Sequence, residues 1–241
     1  MEALTCLRTL IVTHKAIIFH PHIEAISVPV FAAVGDAYYK ITAEALRVTA
    51  ELVTVIRPHG VEASFDYKPY GKKIYDAIFA KYDAQDIDQE VKDSAINCMG
   101  LTVAHLGDAL PDELLKKALK ILADRLHNEI TRLTSVHAVI AIASSPLAVD
   151  LKTILEETIK ALSDFLRQNN RQLKQASLKG LAVLVSTYGK NISPELFNTV
   201  LNEVANLIRY SPFLSLSLSF SLSLSLSLFF FFLQIFHFLS Y

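Results

Sequence analysis

The chain has 241 residues, 52% of them hydrophobic, with a net charge of −1 and a pI near 6.7. It is long enough for one or two domains with a large core, and its near-neutral charge argues against broad attraction to nucleic acid or acidic membranes. The two cysteines, Cys6 and Cys98, read as buried thiols of a reducing compartment rather than a disulfide.

In chain order, hydrophobic spacing and end signals predict helices over 2–14, 21–34, 38–56, 67–82, 89–106, 111–127, 129–144, 151–168, 171–188 and 194–209. Glu2 and Arg8 interrupt the start, where a secretory leader would need an unbroken apolar run, so the bulk of the chain reads as intracellular. His14, His20 and His22 fall in or beside a turn. A lone His-x-His without a cysteine or carboxylate at ligand spacing is a weak metal signal, and exposed loop histidines are expected. An extra loop runs from about Pro58 to Asp66 and contains Gly60. Asp86-Ile87-Asp88-Gln89 has capping-box spacing before the run from Val91. Asp83, Asp86, Asp88 and Glu90 suggest a calcium loop only at first sight. The turn glycine and the distal glutamate are missing, so helix capping accounts for them. Pro111-Asp112-Glu113 and Ser193-Pro194-Glu195 open helices, the latter with an N-cap serine and a proline in the first turn. Lys116-Lys117 and Arg167 to Lys174 read as solvated faces and turns.

These helices repeat. Ala3, Ala45, Ala95, Thr134 and Ser177 are equivalent anchors at steps of 42, 50, 39 and 43 residues. Four and eight positions beyond them the chain is mostly apolar, as at Met99, Val103, Leu181 and Val185, which are therefore expected to be buried. Twelve positions beyond stand Lys15, Arg57, Gly107, Pro146 and Gly189, each suited to a helix end, with left-handed glycine termination expected at Gly107 and Gly189. A 40- to 47-residue period of helix pairs marks HEAT or armadillo arrays. The expected fold class is all-α, an armadillo-like HEAT-repeat superhelical solenoid of about nine helices. No P-loop, dinucleotide fingerprint, serine elbow or zincin motif is present, so no catalytic, cofactor-binding or metal residue is assigned, no cofactor is expected, and the partner-binding residues are unknown.

Residues 1–209 are expected to form the array, partial at both ends, so that Leu196, Val200, Val204 and Leu207 would lack a following helix to cover them. Residues 210–241 are expected to be a separate Ser/Leu/Phe tail. From Ser211 onward, 26 of 31 residues are Ser, Leu or Phe. Alternating pyrimidine triplets encode Ser and Leu, and T-runs encode Phe, so the tail is read as translated non-coding sequence. A tail anchor in a membrane is the alternative.

Four segments carry a resemblance: Phe19 to Pro58, Asp88 to Leu101 (DQEVKDSAINCMGL), Asn128 to Leu151, and Phe165 to Gly189. Their wording resembles the middle of the cullin-associated, neddylation-dissociated family, whose members are long HEAT solenoids. The resemblance implies a non-enzymatic scaffold, cytoplasmic and nuclear, that binds the cullin and RING subunits of cullin–RING ligases. It implies regulation of substrate-receptor exchange and SCF complex assembly, with no small-molecule substrate and no nucleic acid. A HEAT-type nuclear transport receptor is the alternative that shares the repeat pattern.

Overall fold

The structure is a computed structural model that describes residues 1–60 and 65–209. Part of the expected extra loop and the Ser/Leu/Phe tail lie outside the described residues. Among the described residues there are ten α-helices and no strand, one helix for each of the ten ranges read from sequence. They are α1 (Glu2–Thr13), α2 (Ile23–Val34), α3 (Tyr39–Ile56), α4 (Lys68–Asp83), α5 (Gln89–Leu106), α6 (Asp112–His127), α7 (Arg132–Ala143), α8 (Leu155–Phe165), α9 (Arg171–Tyr188) and α10 (Pro194–Arg209).

The helices fall into two compact units, residues 1–122 with 145–149, and residues 123–144 with 150 onward. In the first unit α3 is the central element, packed against α1, α2 and α5, while α4 packs on α2 and α5. Its sequence explains that place. Ala43, Ala45, Leu46, Val48, Ala50, Leu52 and Val53 are all buried, so α3 is apolar on nearly every side, and its alanines let neighbouring backbones approach. In α5, Ala95, Cys98, Met99 and Val103 do the same. Thr49 and Thr102, also buried, satisfy their hydroxyls on the carbonyls of Ala45 and Cys98 one turn back.

In the second unit α9 packs against α7 and α8, and α8 also carries α10. Gly180 marks the tightest approach, since a Cβ there would sit 2.6 Å from Leu162 Cδ2. Leu181 and Val185 are 0% and 2% exposed, and Met99 and Val103 of the first unit are 2% and 1%, as the repeat register requires. On α10, Leu196, Val200 and Val204 are buried and Leu207 is partly exposed, and the helix packs on α8, which precedes it in the chain.

Several helix ends differ from the sequence reading. Gly107 and Gly189 have φ of −58° and −50°, in the right-handed region, so neither is a left-handed terminator. Each instead begins a 3-10 turn that tightens the last helical turn, Gly107–Ala109 and Gly189–Asn191. The cap of α5 is Asp88, accepting from Glu90 N at 2.8 Å, and not Asp86. Helix α8 begins at Leu155 and not 151, because Asp150 accepts from Lys152 N and sets a turn first. The serine cap of α10 matches: Ser193 Oγ accepts from Leu196 N at 3.2 Å.

The stretch Ala16–Val34 has the length and apolarity of a membrane span. It is interrupted by 3-10 turns and by Pro21 and Pro29, and Ile23, Val30 and Val34 are packed inside the first unit.

Candidate interaction surface

The side chains that join elements within each unit form a charged ladder in one and, in the other, an ion pair between an exposed arginine and a buried glutamate. In the first unit Glu44 of α3 is almost fully buried, its side chain 4% exposed. Arg8 of α1 donates from Nε to Glu44 Oε1 at 2.8 Å, and Arg47 donates from Nη1 to Oε2 at 3.3 Å. Arg47 then reaches α5 through Nη2, 2.6 Å from Glu90 Oε1. Burial pushes the Glu44 carboxyl up, but the two guanidiniums more than offset this and hold it below the usual carboxylate range. Four charges thus cross α1, α3 and α5 with both carboxylates paired.

In the second unit Glu203 of α10, 6% exposed, is gripped by Arg167 through Nε to Oε2 at 2.8 Å and through a second, shorter bond to Oε1. This bidentate fork holds the Glu203 carboxyl below its ordinary range. The segment expected to be a solvated turn therefore contributes a helix-to-helix clamp. A cleft of about 530 Å³ lies beside α8, lined by His127, Lys152, Glu156, Lys160 and Asp164 among others. Two ion pairs lie along it at the surface, His127 with Glu157 at 2.7 Å and Lys160 with Glu156 at 2.6 Å.

The residues singled out from sequence are dispersed. Cys98 is buried and burial pushes its thiol far above the ordinary range, which makes it inert, whereas Cys6 is exposed, correcting the reading of two buried thiols. Cys6 lies on α1, which packs chiefly on α3 and has Ile11 as its buried residue. His14 Nδ1 lies 2.9 Å from Leu10 O, and His20 Nε2 lies 2.9 Å from Val55 O with its ring stacked on Phe65. His20 is thus half-buried rather than a solvated loop residue, and His22 is exposed. Asp88 caps, Glu90 pairs with Arg47, and Lys117 sits 4.4 Å from the Phe79 ring centroid. No group of three potential metal ligands occurs among the described residues. Sequence reasoning missed the ladder and the fork. An arginine three residues from a glutamate was visible, but the partners 36 residues away were not.

A family model described as CAND1-like, TPR repeats, matches residues 1–99. The helix pairs here recur at 39 to 50 residues, longer than the ~34 of a tetratricopeptide unit. The chain is 47% identical over 211 residues to the Cullin-associated NEDD8-dissociated protein 1 of Arabidopsis thaliana, covering 88% of this chain and 17% of that protein. It is 44% identical over 208 residues to the Cullin-associated NEDD8-dissociated protein 2 of Mus musculus, covering 86% of this chain and 17% of that protein. The chain therefore spans about a sixth of the length of these relatives. Among solved structures, a designed armadillo repeat protein in complex with the peptide (KR)4 aligns over 95% of this chain and 92% of its own, with TM-score 0.58 and 17% identity. That likeness bears on fold alone, and the fold is an all-helical armadillo-like repeat.

Proposed function

Because the chain is homologous to one stretch of the cullin-associated NEDD8-dissociated family, we propose that it is a non-enzymatic scaffold that binds cullin–RING ligase cores. The observation that carries this is 41–47% identity to proteins bearing that name along nearly the whole helical array. The partners are the cullin and its RING subunit, and the process served is receptor exchange and SCF complex assembly. Residues 1–209 are the working array, and residues 210–241 are translated non-coding sequence that plays no part. The protein acts in cytoplasm and nucleus, away from nucleic acid and small-molecule substrates.

The physical chemistry supports such a role. A repeat array spreads recognition over many units, each contributing a small part of a large interface. The near-neutral net charge gives no long-range steering, so association depends on contact rather than on charge attraction. Because each repeat contributes a small part of a large interface, residues 1–209 on their own are expected to bind cullin more weakly than a full-length relative.

The test is a pull-down and a receptor-exchange assay with unneddylated cullin–RING complex, comparing the chain with a full-length relative. Retention without exchange is the expected result. Receptor displacement at comparable concentration would refute the partial-scaffold reading. Capture of a Ran-type GTPase in place of cullin would move the chain to the transport-receptor class.

A further inference from the structure

Five side chains of the first unit meet where α3 and α5 end and α4 begins: Arg57, His59, Tyr67, His105 and Asp108. The two helix ends are tied reciprocally. Arg57 Nη1 donates to the carbonyl of His105 at 3.1 Å, and His105 Nδ1 lies 2.7 Å from the carbonyl of Arg57. A carbonyl only accepts, so Nδ1 carries the proton and the imidazole is held in one tautomer. Arg57 also donates to Asp108 Oδ1 at 2.6 Å, and its guanidinium lies 4.0 Å from the Tyr67 ring centroid. Tyr67 donates to the other oxygen of Asp108 at 3.0 Å. The His59 ring stacks on His105 with centroids 3.6 Å apart and planes at 23°.

This group is wrongly charged for two protonated histidines. Asp108 is the carboxylate at hand, and Arg57 and Tyr67 already occupy both its oxygens. Beside Tyr67, the Asp66 carboxylate accepts from the backbone N–H of Lys68 and sets a local turn. The segment Ser145–Val149, which comes within 3.4 Å of a Cβ built at Gly107, contributes no titratable side chain. Among the described residues, what the imidazoles face is each other and the Arg57 cation. Desolvation holds His105 below the ordinary 6.5, and the charges of His59 and Arg57 add to this against the opposing bond to Arg57 O; desolvation and then Arg57 do the same for His59.

We propose that this group is an acid-opened latch: with neutral imidazoles it ties the C-terminal end of α3 to that of α5, and protonation of the stacked pair beside Arg57 releases the two ends. The sign follows from the lowered values. The latched state prefers neutral rings, so its stability is complete above 6.5 and is lost progressively as pH falls below it.

Hydrogen exchange of the full chain, corrected for intrinsic rates, tests this at about pH 7.5 and 5.5. Peptides spanning the end of α3 and the end of α5 should lose roughly tenfold protection at the lower pH, while α9 keeps its own. His59→Phe with His105→Asn keeps a stacked ring and an N–H near the Nδ1 position but cannot take up protons. This double variant should be equally protected at both values. Equal protection in the parent chain, equal loss in the double variant, or parallel loss in α9 would overturn the latch. If the double variant is unfolded by circular dichroism, His59→Phe alone decides. It should move the His105 titration, followed by NMR, upward towards 6.5, and an unmoved titration would overturn the proposal.

Discussion

Replacing Glu44 by alanine probes the ladder that crosses α1, α3 and α5. The carboxylate is 4% exposed and accepts from two guanidiniums that are themselves 39% and 35% exposed. Breaking a fully buried ion pair costs about 3–5 kcal/mol, and exposed pairs contribute about 0–1. Here the abandoned arginines recover much of their hydration, and Arg47 keeps Glu90 at 2.6 Å, which places Glu44→Ala at about 1–2 kcal/mol. Glu44→Met, which preserves the stem volume, should cost under about 1 kcal/mol. A cycle with Arg8→Met should return a coupling of about 0.5–1 kcal/mol. The readout is urea denaturation, with hydrogen exchange of α1 and α3 to locate the loss, since repeat arrays need not unfold as one unit. Because the Glu44 carboxyl lies below its ordinary 4.5, the stability it contributes is present above 4.5 and lost as pH falls beneath it. Glu44→Met should therefore flatten that part of the acid limb. A cost for Glu44→Ala below about 0.3 kcal/mol, or zero coupling, would refute the reasoning.

Leu181→Ala should cost about 2–5 kcal/mol, read as a lower urea midpoint, because Leu181 of α9 is 0% exposed. Tyr75→Phe should leave the melting temperature unchanged or raise it, since the buried Tyr75 hydroxyl has no hydrogen-bond partner among the described residues. Iodoacetamide should label Cys6 in the native chain and reach Cys98 only on unfolding, as mass mapping would report.

Much of the fold was legible because it rests on short-range signals. The bounds of α5, α9 and α10 match the sequence reading, since each has a capping residue at its start and a change of periodicity at its end. The anchors fixed which faces are buried, as Met99 and Leu181 demonstrate. The glycine ends were misread because Gly107 and Gly189 begin 3-10 turns, a choice made by what packs nearby; a Cβ on Gly107 would lie 3.4 Å from Val149 Cγ2. Start positions of α7 and α8 shifted inward because Asn128 and Asp150 accept local backbone N–H groups and turn the chain first. The ladder and the fork were illegible because their partners are one repeat apart, and pairing at that distance depends on how helices dock.

The central claim is that the array is a partial cullin-binding scaffold, and an equilibrium titration against unneddylated cullin–RING complex tests it most directly. The expected result is saturable binding at roughly micromolar Kd or weaker, well short of a full-length relative, and unchanged when residues 210–241 are deleted. No binding at concentrations far above that range, or affinity equal to the full-length relative, would contradict it.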